Sequence, residues 1–278
     1  MKKKRRNFGM MMKNKMGMGP ASAPRPINNP ILLLNTYPAL SETSVVDQDT
    51  TLLSIKGSGI ISRHFQALQA QFTIVVNIAI YAPNAQLDPM AVFDESPSTS
   101  DGTPGQTRIY NKAFQFGFGK NDNAYQHAMF YINNVPPVDG TLNITIKHPL
   151  CKRRIVTVDQ FANINARNPL DQQTSQQSGQ QGVIQITSGL TQETSQPFEL
   201  VYGSVAIGRN FNQYSEPQGF IPIQSVGSNI DTFDATLKTY YKLSAQQNQF
   251  GLSALVSGPA PNNFVWSAAV QTFTAAQL

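Results

Sequence analysis

A chain of 278 residues with 40% hydrophobic side chains can hold one large or two small cored domains, yet only 13% of its residues are charged, about half the usual share for a soluble domain. So little charge points away from a free monomer, and toward a subunit covered by copies of itself or a neutral extracellular β protein. The net charge of +5 is unevenly placed: residues 1–26 carry eight basic groups and no acid, leaving 13 basic against 16 acidic groups, a net of −3, in the body.

The leading segment, residues 1–26, holds Lys2, Lys3, Lys4, Arg5, Arg6, Lys13, Lys15 and Arg25, with six of the eight methionines among them. Like charges this dense repel one another until an anionic partner neutralises them, so the segment reads as an interaction arm for a nucleic-acid backbone or an anionic lipid surface. Pro20, Pro24, Pro26 and Pro30 stop any helix from running into the body, which predicts an extended arm. Lys13 and Lys15 interrupt the place where a secretory leader needs an apolar core. Cys151 is the single cysteine, so no internal disulfide forms, and no stretch of about 18 apolar residues is present to span a membrane as a helix.

From Ile31 onward the dominant period is two. The longest strand-forming run is 72–80, Phe-Thr-Ile-Val-Val-Asn-Ile-Ala-Ile, and a similar run returns at 198–207. Each is preceded by a second strand segment, 53–60 and 184–190, and followed by an acidic-Pro pair, Asp88-Pro89 and Glu216-Pro217. Two segments recurring in one order are what two copies of one β module produce. Further strands are predicted at 108–118, 128–132, 141–147, 154–158, 219–223, 234–243, 250–256 and 264–273. Helix is expected only over 62–71 and 159–166, the latter capped by Asp159. Closely spaced strands without helices between them indicate antiparallel sheets, a sandwich or barrel. The run 171–182 has no apolar side chain and reads as a linker or a long surface loop, the linker favoured because the repeat resumes right after it. The organisation expected is an arm over 1–26, a first unit over 27–170, the linker 171–182 and a second unit over 183–278.

No nucleophile elbow, phosphate loop, His-Glu-x-x-His or dinucleotide-binding glycine pattern is present, so no catalytic residue is assigned and the chain is read as a non-enzyme. Gly117-Phe-Gly119-Lys120 has no helix behind it and reads as a hairpin turn. The dispersed His64, His127 and His148 read as structural, and with one cysteine there is no zinc set, so no metal or cofactor is expected. Asp88, Asp94, Glu95, Asp101 and Asp122 read as solvated loop acids with the chemistry to hold calcium between subunits. Lys152, Arg153 and Arg154 form a second basic cluster, a candidate inner surface beside the arm. Phe114, Phe116 and Phe118 alternate on one strand face and are assigned to core packing ahead of base stacking.

A basic, acid-free arm with a Pro-rich exit, a body of short antiparallel strands, little charge and no catalytic motif together resemble the viral jelly-roll capsid proteins. Organisation is closest to the double jelly-roll major capsid proteins of icosahedral viruses and phages with an internal membrane. The resemblance implies an all-β fold of two antiparallel jelly-roll barrels in tandem, with a single barrel bearing long insertions as the other architecture. It implies a virion coat protein, made in the host cytoplasm, whose partners are copies of itself in a trimeric capsomer and icosahedral lattice. Viral nucleic acid or an anionic inner membrane would meet the arm, and other capsid proteins such as a penton would complete the shell. The alternative function is a carbohydrate-binding or adhesin-type β-sandwich; a jelly-roll enzyme would need a His-x-His metal set, which is absent, or a pair of facing carboxylates.

Overall fold

The computed structural model of the chain describes residues 31–42, 51–56, 72–81, 98–100, 108–118, 125–135, 141–146, 153–178, 185–208, 214–227, 235–256 and 265–276. These form sixteen strands and, among the described residues, no helix. The first nine are β1 Leu32–Glu42, β2 Thr51–Lys56, β3 Phe72–Tyr81, β4 Ser98–Ser100, β5 Arg108–Ile109, β6 Asn111–Phe118, β7 Tyr125–Val135, β8 Thr141–Ile146 and β9 Arg153–Ala162. The remaining seven are β10 Leu170–Ser178, β11 Gln185–Thr187, β12 Leu200–Gly208, β13 Ile221–Gly227, β14 Ala235–Leu243, β15 Ser253–Leu255 and β16 Val265–Phe273.

Every pairing between named strands is antiparallel. The strand orders are β1-β9-β3-β7-β6 and β2-β8-β4-β5 in the first part of the chain, β10-β16-β12-β14-β13 and β11-β15 in the second. In both parts the pairs are nested: β1 with β9, β2 with β8 and β3 with β7, then β10 with β16, β11 with β15 and β12 with β14. An isolated bridge, Tyr214 to Val256, adds one more antiparallel contact beside β15.

The two five-stranded sheets pack face to face. From the first come Val75, Met129, Tyr131 and Phe161, and from the second Leu200, Tyr202, Ala269 and Phe273, all in one buried cluster. Phe161 meets Tyr202 edge-on with ring centroids 5.9 Å apart, and Tyr131 meets Phe273 at 5.4 Å. The far face of the second sheet is covered as well: Val201, Val205, Tyr240 and Val270 pack under Ile186 of β11, Ala254 of β15, and Phe220, Phe250 and Leu252. That layering explains why β12 and β16 are buried at every position, for strands covered on both faces carry continuous apolar or small residues and lose the alternation of a half-exposed strand. Each fully buried large aliphatic or aromatic side chain contributes about 1.5–3 kcal/mol. Lys242 closes the outer layer, its ammonium 4.7 Å from both the Phe220 and Phe250 rings, so that its stem covers apolar surface while the charge faces aromatic density.

At Gly208 there is no room for a side chain between β12 and its neighbours. A Cβ there would stand 2.4 Å from the Tyr125 ring on β7 and 2.5 Å from Val265, below any tolerated contact. Gly208→Ala should therefore lower stability by about 1–3 kcal/mol, measured by urea denaturation as a fall in the midpoint with the slope unchanged.

Three expectations change. The Gln/Ser-rich stretch 171–182 is no simple linker, because residues up to Ser178 belong to β10, paired with β16 from Leu170↔Phe273 to Ser178↔Trp266. An edge strand meets its neighbour through backbone groups and can leave amide and hydroxyl side chains in water, so an absence of apolar residues does not prevent a strand. Strands of the second part accordingly begin at 170, before the expected boundary at 183. Residues 159–166 do not make a helical turn: Asp159 to Ala162 end β9, and Asn163 takes a left-handed φ of 63° as the chain bends away. The run opening with Phe198 also inverts, its strand starting at Leu200 with Phe198 turned outward. The helix expected over 62–71 and the arm over 1–26 lie outside the described residues.

Candidate functional site

The seam between the two five-stranded sheets is polar in its middle. Asn77 shares a face of β3 with Val75 and Ala79, and on β12 Tyr202 shares one with Leu200 and Ala206, so period-two geometry aims both into the seam. Asn77 Nδ2 donates to the Tyr202 hydroxyl at 2.7 Å, and that hydroxyl donates to Asp159 Oδ2 at 2.6 Å. Gln224 of β13 donates through Nε2 to Asp159 Oδ1 at 2.7 Å and to the Val158 carbonyl at 3.1 Å. Two strands of each sheet are thereby tied through one carboxylate. Burial pushes Asp159 up to about 6, against the opposing pull of Tyr202, Gln224 and Thr239. The Tyr202 hydroxyl is raised well above its usual range by burial and by the charge of Asp159.

A second tie lies farther along the same seam. His127 of β7 has Ser267 Oγ 3.1 Å from Nδ1 and Ser204 Oγ 3.3 Å from Nε2, with the Phe114 ring edge-on at 4.8 Å. Burial drives the imidazole down to about 3, so it is neutral, with one nitrogen donating and the other accepting. Two serines flank this histidine and, among the described residues, no carboxylate orients it. The arrangement lacks the acid that activates a Ser-His pair, and its chemistry is that of a hydrogen-bonded pin between sheets. Among the described residues no three His, Cys, Asp or Glu side chains converge as metal ligands.

Of the residues singled out by sequence, Arg153 and Arg154 open β9, their backbones paired with Tyr81 and Ile80. Lys152 lies outside the described residues, as do Lys2, Lys3, Lys4, Arg5, Arg6, Lys13, Lys15 and Arg25 of the arm and the loop acids Asp88, Asp94, Glu95, Asp101 and Asp122. Phe114 is buried in the core with Phe116 packed beside it, as expected of core aromatics. Gly117 and Phe118, expected in a turn, instead end β6, paired with Gln126 and Tyr125 of β7, while Gly119 and Lys120 lie outside the described residues. Sequence reading passed over Asn77, Tyr202 and Gln224 and took Asp159 for a helix cap. A polar residue at an inward position of an otherwise apolar run, Asn77 in 72–80, was the available signal.

No family model, no curated protein and no solved structure matches this chain.

Proposed function

We propose that the chain is a viral coat protein built from two jelly rolls in tandem, which assembles into an icosahedral shell with its basic arm toward genome or inner membrane. The observation that carries this reading is the nesting of strand pairs. A jelly roll is a ribbon of antiparallel pairs wound round a barrel, so that first-with-last and third-with-sixth fall in one sheet while second-with-seventh and fourth-with-fifth fall in the other. Setting aside β6, the orders β1-β9-β3-β7 and β2-β8-β4-β5 follow that winding. In the second part β10-β16-β12-β14 and β11-β15 follow it too, with β13 holding the place of β6 and the Tyr214 bridge standing where the fourth strand would meet the seventh. The runs 72–80 and 198–207, alike in sequence, supply the third strand of each part, β3 and β12. The segments before them supply the second, β2 and β11.

Surface chemistry supports assembly. Phe198, Ile221 and Leu243 are exposed apolar residues brought to one end of the second sheet by the pairings Leu200↔Leu243 and Ile221↔Tyr241, which suits burial against identical neighbours. The arm adds a salt-dependent attraction to polyphosphate or anionic lipid. Full-length protein should form trimers or discrete shells by light scattering and negative-stain microscopy. Protein lacking residues 1–26 should still form capsomers but lose salt-sensitive binding to nucleic acid or anionic vesicles. A full-length monomer at high concentration and moderate salt overturns the proposal.

A further inference from the structure

An edge strand offers every second backbone N–H and C=O to whatever lies beside it, so folded proteins blunt their edges with prolines, charges or register breaks. Three of the four edges of the two facing sheets are blunted in this way. β1 carries Pro38 within a break in its register to β9, β6 carries the exposed Lys112 at a break against β7, and β13 carries Pro222 at a break against β14. The smaller sheets end on strands of six residues or fewer. β10 is the exception. Its one irregularity lies between Leu170 and Gln173, after which it runs in unbroken register from Gln173↔Gln271 to Ser178↔Trp266, and among the described residues no strand pairs with its other side.

Residues 172–178 read Gln-Gln-Thr-Ser-Gln-Gln-Ser, without a charge, a proline or a glycine. The strand is also anchored from within: Thr174 Oγ1 donates to the Ser188 carbonyl at 2.9 Å, and Asp171, the one acid of β10, has Oδ2 accepting the Ser195 N–H at 2.7 Å. We propose that β10 is a homotypic docking edge, on which β10 of a second copy lies antiparallel so that one sheet runs through both molecules. A two-fold contact sets each residue against the same short stretch of itself, so a charge near its centre would meet a like charge, and 172–178 has none. Amides and hydroxyls both donate and accept, so they satisfy identical partners. Centred on Ser175, the pairing sets Ser175 beside its own copy and Thr174 beside Gln176. Backbone hydrogen bonds supply the affinity and the cross-strand side-chain pairs the register. The contact does not rest on the coat-protein reading: in a shell it joins neighbouring capsomers, and without a shell it makes a dimer.

The test uses full-length protein at about 10–100 μM, since strand pairing alone buries less than a standard interface and gives a weak contact. Ser175→Cys in mild oxidant should yield a disulfide-linked dimer, with wild type, whose one cysteine is Cys151, as the control. By sedimentation velocity, Ser175→Lys and Ser175→Glu should each weaken the two-fold step at least about tenfold, and an equimolar mixture of the two should restore it. Ser175 is only part-buried, so each variant should keep the wild-type Tm. The inference is overturned if Ser175→Cys yields no more dimer than wild type, or if the two charge variants, folded, associate as wild type does. Dimers that grow no further support this contact and tell against the shell; trimers that ignore both charge substitutions leave the shell standing and sink the contact.

Discussion

Replacing Tyr202 by phenylalanine should destabilise the protein by about 3 kcal/mol, although the ring and its packing are retained. The lost hydroxyl is the acceptor for Asn77 and a donor to Asp159 at once, so one atom's removal strands two buried groups. A neutral donor left unsatisfied costs about 1–3 kcal/mol and a charged acceptor more. Asp159 Oδ1 keeps its bond to Gln224, which is why the loss stops short of that for an uncompensated buried charge. Chemical denaturation of Tyr202→Phe, Asp159→Asn and the double variant checks this, with a coupling of about 0.5–3 kcal/mol expected between the two sites. If Tyr202→Phe lies within about 0.5 kcal/mol of wild type, the seam is not the tie described.

The second large effect is a loss of stability between pH 6.5 and 8. Three buried groups titrate differently in the fold and in the unfolded chain, and their signs differ. Glu199 and Asp159 are raised, to about 8 and about 6, so the fold holds their protons more tightly. Their contributions are complete at low pH and are lost as pH rises, over about 4.5–8 for Glu199 and about 3.8–6 for Asp159. His127 is lowered to about 3; its contribution is complete above about 6.5 and is lost as pH falls toward 3. Histidine and Asp159 therefore offset one another over most of the acidic range. Above about 6.5 only Glu199 of the three still titrates, and stability should fall with a slope below about 1.4 kcal/mol per pH unit. Because Glu199 sits under a thin cover near the surface, a total of about 1 kcal/mol is expected, solvent screening taking up the rest. Denaturation across this range measures it. Glu199→Gln should flatten the slope, and a wild-type profile already flat from pH 6.5 to 8 contradicts the assignment.

The strands were the legible part of the fold. The predicted runs at 72–80, 108–118, 141–147, 234–243 and 264–273 lie on β3, on β5 and β6, and on β8, β14 and β16, because apolar periodicity is a local property that needs only the strand and its solvent. The polar edge strand β10 was not legible, since an edge of Gln, Ser and Thr carries no periodic apolar signal and its ladder is made by a distant partner, β16. Glu199 was hidden for a related reason: a left-handed residue at Phe198 reverses which side chain faces in, and nothing in the spacing announces that reversal.

The amino-acid sequence by itself determined an antiparallel all-β body, a strongly basic leading segment and the absence of catalytic motifs, because composition and period two act residue by residue. Tertiary structure alone decided that the two five-stranded sheets face each other, and that Asn77, Asp159, Tyr202 and Gln224 meet between them. Tyr202 and Asp159 are 43 residues apart and Asn77 and Tyr202 are 125 apart, and contacts across such separations depend on how sheets stack, which no local pattern encodes.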